Sequence, residues 1–315
     1  KALCSAGTKT TKESLIERLA TPSAKHSATS AQGTNRLIVF TLGDASHSKQ
    51  AVSRTGRLAI PACAREVPRR GGFVDDTAII ERGFNGPRLS GNGGYVGGVM
   101  AGRFNRHFKT DGAVEITLRA PVPLETPLQV TRTGDALLLK DGATLLCEAR
   151  AGAVAHLAPP PSPADWADVM RRGEQGGSPE DSDFHWCIVC GRGRSTGDGL
   201  RVFGEHGPRP GQSLSCYVPH ANHADAEGRI KPEFLWGTLD CPGAWAVQEP
   251  DDWRPALTGR MAAKVIACPQ VGERCAVVGW KIGTEGRKLY SGTALYTESG
   301  RLCAIGHCTW ILLKA

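Results

Sequence analysis

The order strand, helix, antiparallel meander occurs twice along this chain, and no other feature narrows the folds open to it so sharply. The first copy opens on the apolar run 77–84, read as a strand. A glycine-rich turn over 86–94 follows, then a helix expected from Tyr95 to about His107. Strands are predicted over 113–120, 127–133, 136–140 and 144–156, with Gly134-Asp135 and Asp141-Gly142 supplying turn chemistry between them. The second copy has strands at 200–205 and 213–218, then Pro232 at the start of a helix over 233–248. Its meander runs through 261–267, 275–282, 288–297 and 302–312, with Gly283, Gly286 and Gly300 at the turns. A single long helix on a curved sheet can bury its apolar side only across the sheet's concave face. The two copies are expected to pack as one pseudo-symmetric unit.

The flanking segments differ in kind. Residues 158–182 read as a linker between the copies, with Pro159-Pro160-Pro161 at one end, Gly176-Gly177-Ser178-Pro179 at the other and a short helix at 165–172. Residues 1–72 are rich in Ser, Thr and Ala, and Leu37-Ile38-Val39-Phe40 is all they offer a core, so they are read as a largely disordered tail. An organelle transit peptide is the weaker reading of that basic, Ser-rich stretch. The tail also explains the overall charge of +7. It holds 12 Lys/Arg against four acids, so +8, whereas the rest holds 26 against 27, so −1. A neutral body without an aromatic-studded basic stripe argues against a nucleic-acid partner. No run of 18 apolar residues is present to span a membrane.

Eleven cysteines without a secretory signal argue against a disulfide framework and for a reducing, cytoplasmic setting. Cys147, Cys268 and Cys303 lie in apolar segments and read as small buried hydrophobes. Cys187-x-x-Cys190 has zinc-ligand spacing, but a zinc site wants further ligands, and Cys216 and Cys241 stand far off in sequence. The favoured reading is two half-buried thiols in a turn, with no metal and no cofactor. His220 and His223 flank Asn222 and read as solvated loop residues, while His156, His185 and His307 are isolated. No serine sits in a Gly-x-Ser-x-Gly elbow.

Two motifs carry a resemblance: Gly91-Asn92-Gly93-Gly94-Tyr95-Val96 and Trp236-Gly237-Thr238-Leu239-Asp240. With the twofold order of elements, they make residues 73–315 similar to the hot-dog superfamily, in its double-hot-dog acyl-CoA thioesterase form. The segment from Cys187 to Gly191, followed by Gly199-Leu200, also looks like the start of small thioesterases related to the phenylacetate pathway. The resemblance implies an α+β fold of two tandem hot-dog domains, each an antiparallel sheet wrapped around a central helix. The domains would span 73–157 and 183–315. It further implies that the first motif opens one central helix and that an acid about two turns along such a helix faces the thioester. Overlaid through the motifs, Gly94 matches Glu233 and Ala101 matches Asp240. The first helix has the glycines without the acid; the second has the acid without the glycines.

That asymmetry implies one composite site, with Gly94 and Tyr95 from the first half and Asp240 from the second. Thioester hydrolysis needs an oxyanion stabilised while water or a carboxylate attacks. N–H groups at a glycine-opened helix start supply that stabilisation. Asp240 would act as base or nucleophile, and Asn92 would position the carbonyl or a water. Gly93, Gly94 and Tyr95 would bind the substrate or oxyanion, and Thr238 could help hold the carboxylate. Glu233, in the first helical turn, reads as complementing the helix dipole rather than as a catalyst. Each feature also has a plain structural reading, since Gly93-Gly94 could simply admit the helix. The expected activity is an acyl-CoA or acyl-carrier thioester hydrolase of lipid metabolism, with self-association compatible. The alternative is a non-catalytic hot-dog protein that binds such thioesters. A hot-dog dehydratase would want a His and an acid paired in its helix-bearing motif, which neither helix has.

Overall fold

The computed structural model describes residues 76–314, Pro179 excepted; the expected tail over 1–72 lies outside the described residues. Eleven strands form one antiparallel sheet: β1 (Asp76–Ala78), β2 (Val114–Leu118), β3 (Leu128–Thr133), β4 (Ala136–Asp141), β5 (Thr144–Ala151), β6 (Glu205–His206), β7 (Gln212–Tyr217), β8 (Ala256–Val265), β9 (Cys275–Glu285), β10 (Lys288–Thr297) and β11 (Leu302–Leu312). Their spatial order is β1-β3-β4-β5-β2-β8-β11-β10-β9-β7-β6. The five strands before residue 152 and the five from β7 onward therefore follow one rule: the strand after the helix ends up at the inner edge. Those two inner strands, β2 and β8, pair with each other, Val114 opposite Ala263 and Thr117 opposite Arg260, which makes the sheet continuous.

One face of this sheet carries α1 (Gly93–Phe108), α3 (Pro232–Thr238) and α4 (Cys241–Val247). Helix α1 turns Val96, Met100 and Phe104 inward, a spacing of four that keeps them on one side. They join Ile116, Leu139 and Cys147 from the sheet and Leu235, Trp236 and Leu239 from α3 in one core. In β9, Cys275 and Val277 face that core while Ala276 and Val278 face the opposite side, the alternation a strand requires. On that opposite side lies α2 (Trp166–Gln175), capped by the Asp165 carboxylate at the Asp168 N–H. Val169 and Met170 pack there on Leu214, Cys216 and Tyr296. The segment expected as a linker thus holds a helix that covers the back of the sheet.

Several expectations are corrected. The strand expected over 77–84 ends at Ala78 and gives way to a short 3-10 turn at Arg82–Phe84, closed by a 3.0 Å bond from the Phe84 N–H to the Glu81 carbonyl. Residues 200–205 do not enter the sheet as a strand before Glu205. Arg201 takes a left-handed φ of 55°, and Leu200 and Val202 instead donate to the carbonyls of Ile188 and Val189. The helix expected unbroken over 233–248 splits at Leu239-Asp240 into α3 and α4. Pro242 has no N–H to give and its ring crowds the preceding turn, so the helix restarts one residue ahead of it. Cys187 and Cys190 are fully buried rather than half-buried, and Cys268 is only half-buried rather than buried. His223 is buried, not solvated, and His156 and His307 meet edge to face at 5.6 Å rather than standing apart.

Candidate functional site

The two motifs meet where α1 crosses α3. The helices run antiparallel, and glycines let them approach to backbone contact. A Cβ on Gly94 would lie 2.6 Å from the Asp240 Cβ and 2.9 Å from the Trp236 carbonyl oxygen, while one on Gly98 would overlap the Glu233 backbone. The first turn of α1 therefore lies against the end of α3. At the α3–α4 break, Asp240 takes φ −79° and ψ −89°, outside the helical region, which turns its side chain back to α1.

Asp240 is only 2 % exposed, yet both carboxylate oxygens are satisfied. Oδ2 accepts from the Gly94 N–H and the Asn92 side-chain amide, each at 3.0 Å. Oδ1 accepts from the Thr258 hydroxyl at 2.6 Å, a length typical of a hydroxyl donating to a carboxylate. Burial pushes the carboxyl up to about 6; the bonds from Thr258, Gly94 and Asn92 pull the other way, and charge on Cys187 adds to the rise. The carboxylate also sits at the positive end of the α1 dipole, where anions are favoured.

Asn92 joins the parts. Its Oδ1 caps α1 by accepting from the Tyr95 N–H at 2.9 Å, while its Nδ2 serves Asp240 and lies 3.7 Å from Cys187 Sγ. Of the three residues expected to await an oxyanion, two have their N–H groups occupied here, Gly94 by Asp240 and Tyr95 by Asn92. Tyr95 itself is buried, stacked on Phe84 at 4.2 Å and tilted against Phe234 of α3 at 5.5 Å. Gly93 faces Thr258 and Leu118, both half-buried, where a Cβ would come within 2.8 Å of the Thr258 Cβ.

Thr238 does not hold the carboxylate. Its hydroxyl donates to the Leu235 carbonyl at 2.7 Å, one turn back in its own helix. Thr258, on β8, takes the role expected of Thr238, and nothing local in the sequence marks it. It lies 18 residues beyond Asp240 and comes close only because β8 runs beneath the break between α3 and α4. Ala101, the overlay partner of Asp240, is buried and carries no acid.

The cysteines also depart from the expectation. Cys241 is brought against Cys187 and Cys190, so that all three sulfurs lie within 4.8 Å of one another. Hydrogen bonds from Cys190 and Cys241 hold the Cys187 thiol well below its usual range, and Cys187 in turn pushes those two up. Cys216 lies elsewhere, beside Met170 on the other face of the sheet.

Solved structures share this architecture. A protein of unknown function with a hot-dog fold from Alicyclobacillus acidocaldarius matches with a TM-score of 0.50 at 13% identity, covering 76% of this chain and 93% of that one. A protein from Thermobifida fusca described as a candidate thioesterase II matches with a TM-score of 0.49 at 15% identity, over 76% and 92% of the two chains. No family model and no curated protein matches the sequence. The chain has the hot-dog fold. Among the described residues, no helix is long and apolar enough to cross a membrane.

Proposed function

We propose that the protein hydrolyses acyl thioesters, with acyl-CoA or acyl-carrier thioesters as substrates, through one composite site between two tandem hot-dog domains at 73–157 and 183–315. The observation that carries this reading is the contact of the Asp240 carboxylate with the Gly94 N–H across the two halves. A carboxylate at a helix start is poised to accept a proton from water or to attack a carbonyl, and the N–H it then releases can serve the oxyanion. Thr258 and Asn92 fix the carboxylate in place. The reaction asks for no cofactor.

Release of free thiol from a panel of acyl-CoA esters tests the reading. Asp240→Asn keeps shape and removes most basicity, so turnover should fall at least roughly a hundredfold with thioester binding little changed. Near-normal turnover in that variant would remove Asp240 from the mechanism. One observation favours a second reading: the N–H groups of Gly94 and Tyr95 at the α1 start are already bonded. A wild type that binds acyl-CoA and never releases thiol would be a thioester-binding protein instead.

A further inference from the structure

We infer that Cys187, Cys190 and Cys241 form a binding site for a soft, thiophilic metal ion, and that the bound ion clips the segment before β6 to the break that presents Asp240. Three thiols from two distant stretches of chain converge with all sulfurs inside 4.8 Å. Cys187 and Cys190 are buried, and Cys241 is half-buried. The surroundings suit thiolates. The Val189 N–H points at Cys187 Sγ at 3.4 Å, the Asn92 amide lies 3.7 Å from the same sulfur, and the Ser178 hydroxyl lies 3.3 Å from Cys190 Sγ. N–H donors around sulfur are the outer groups that orient metal thiolates and temper their charge.

The turn itself is built for this. The Gly191 N–H donates to the Cys187 carbonyl at 2.9 Å, curling 187–191 so that both sulfurs of Cys-x-x-Cys point the same way. A Cβ on Gly191 would lie 2.6 Å from the Cys187 N, so only glycine fits the curl. The loop is moored by the Ile188 N–H to the Asn85 carbonyl and by the Leu200 N–H to the Ile188 carbonyl, both at 2.8 Å. Three inert buried thiols would not need this scaffold.

Loading breaks three S–H bonds, forms three metal–sulfur bonds and releases three protons, with no change of oxidation state. Thiolate sets of this kind select zinc and copper(I). Copper(I) is satisfied by three sulfurs, whereas zinc takes four ligands and would draw its last from outside this set. Cys241 directly follows Asp240, and Asn92 touches both Cys187 Sγ and Asp240 Oδ2, so the ion would hold Asp240 from two sides. The inference does not depend on thioester hydrolysis.

The test is metal content by mass spectrometry on the full chain, purified under reducing conditions and then offered zinc in one arm and copper(I) in the other. About one ion per chain is expected in one arm, with three thiols protected from alkylation. Cys187→Ser and Cys241→Ser should each lose it, whereas Cys216→Ser, on the other face of the sheet, should keep it. Because a serine variant can fail to fold, cobalt(II) is added to the unaltered protein, where sulfur-to-cobalt charge-transfer bands count the thiolates directly. Failure of both arms to load, equal loading by Cys241→Ser, or a disulfide between Cys187 and Cys190 in the reduced preparation would each overturn the site.

Discussion

The two helix starts are built in opposite ways. Helix α1 opens on Gly93-Gly94, is capped by Asn92 and receives the carboxylate of a distant residue. Helix α3 opens on Pro232-Glu233 and has no side-chain cap. A glycine start lets another backbone or carboxylate come to contact; a Pro-Glu start fills that space and supplies its own negative charge to the dipole. The strand order around the two helices is the same, so the difference lies in side chains rather than topology. It follows that one start admits a distant carboxylate while the other is closed by its own residues.

The largest test of this contrast concerns helix approach. Gly98→Ala would drive a Cβ into the Glu233 backbone, which cannot step aside without parting α1 from α3. It should cost roughly 3 kcal/mol or more, or prevent folding. Gly237→Ala meets only Leu200 Cδ1 at 3.0 Å and Val189 Cγ2 at 3.3 Å, flexible side-chain ends, and alanine is the better helix former. Its cost should stay under about 1 kcal/mol. Urea unfolding of the pair measures both, and equal losses would mean the helices do not meet through α1's glycines.

The approaches to the helices differ next. Phe84 stacks on Tyr95 before α1, whereas His223 packs on Phe234 before α3, at 4.7 Å. Burial pushes the His223 imidazole down from 6.5 to about 4, with His220 and Lys231 adding to the fall and Asp198 opposing it. A histidine with a lowered folded-state value binds its proton more readily when unfolded. Its neutral form therefore contributes fully above about pH 6.5, and that contribution is lost as pH falls toward 4, by at most about 3 kcal/mol. Thermal melts between pH 7.5 and 4.5 should show a steeper decline for wild type than for His223→Phe. Parallel curves would show that this histidine does not sense pH.

Much of the fold could be read from patterning, because strands with one buried face alternate and turns need glycine. The strands Lys288–Thr297 and Leu302–Leu312 fall where alternation puts them. Arg201 escaped because a left-handed arginine leaves no mark in composition. Asp240, Asn92 and Gly94 were legible through motif order, and the structure brings these three together. Thr258 and Cys241 were not legible as partners, since spatial neighbourhood across 18 and 54 residues is set by how the sheet closes. The occupied N–H groups could not be foreseen either: a helix start in sequence does not reveal what already sits on it.

At the start of α1, Asn92 separates two jobs that α3 never combines. Asn92→Ser retains a capping oxygen for the Tyr95 N–H and should leave stability within about 0.5 kcal/mol, while Asn92→Ala should cost about 1 kcal/mol. Both remove the amide donor to Asp240, so under the proposed hydrolysis both should lower turnover, roughly tenfold. Turnover that follows the cap, falling in the alanine variant alone, would reduce Asn92 to a structural residue.

The smallest effect is expected at the closed start. Glu233 occupies the first turn of α3, where its charge complements the dipole. Its backbone packs against Gly98, so a substitution must keep the side-chain length to be informative. Glu233→Gln does so and removes only the charge. Stability should fall by about 0.3–1 kcal/mol, less in high salt, because a half-buried helix-end charge is still partly screened. Turnover should stay within about twofold of wild type, since Glu233 packs against Gly98, a helical turn from the Gly94 N–H that meets Asp240, against the hundredfold loss expected of Asp240→Asn. The charge-bearing variant Ala101→Asp completes the comparison. It restores the missing acid on α1, yet it should not rescue Asp240→Asn, because the helix start it would face carries Pro232 and Glu233 in place of glycines. A strong loss of turnover in Glu233→Gln, or rescue by Ala101→Asp, would mean that the second start is also open and that the chain has two working sites.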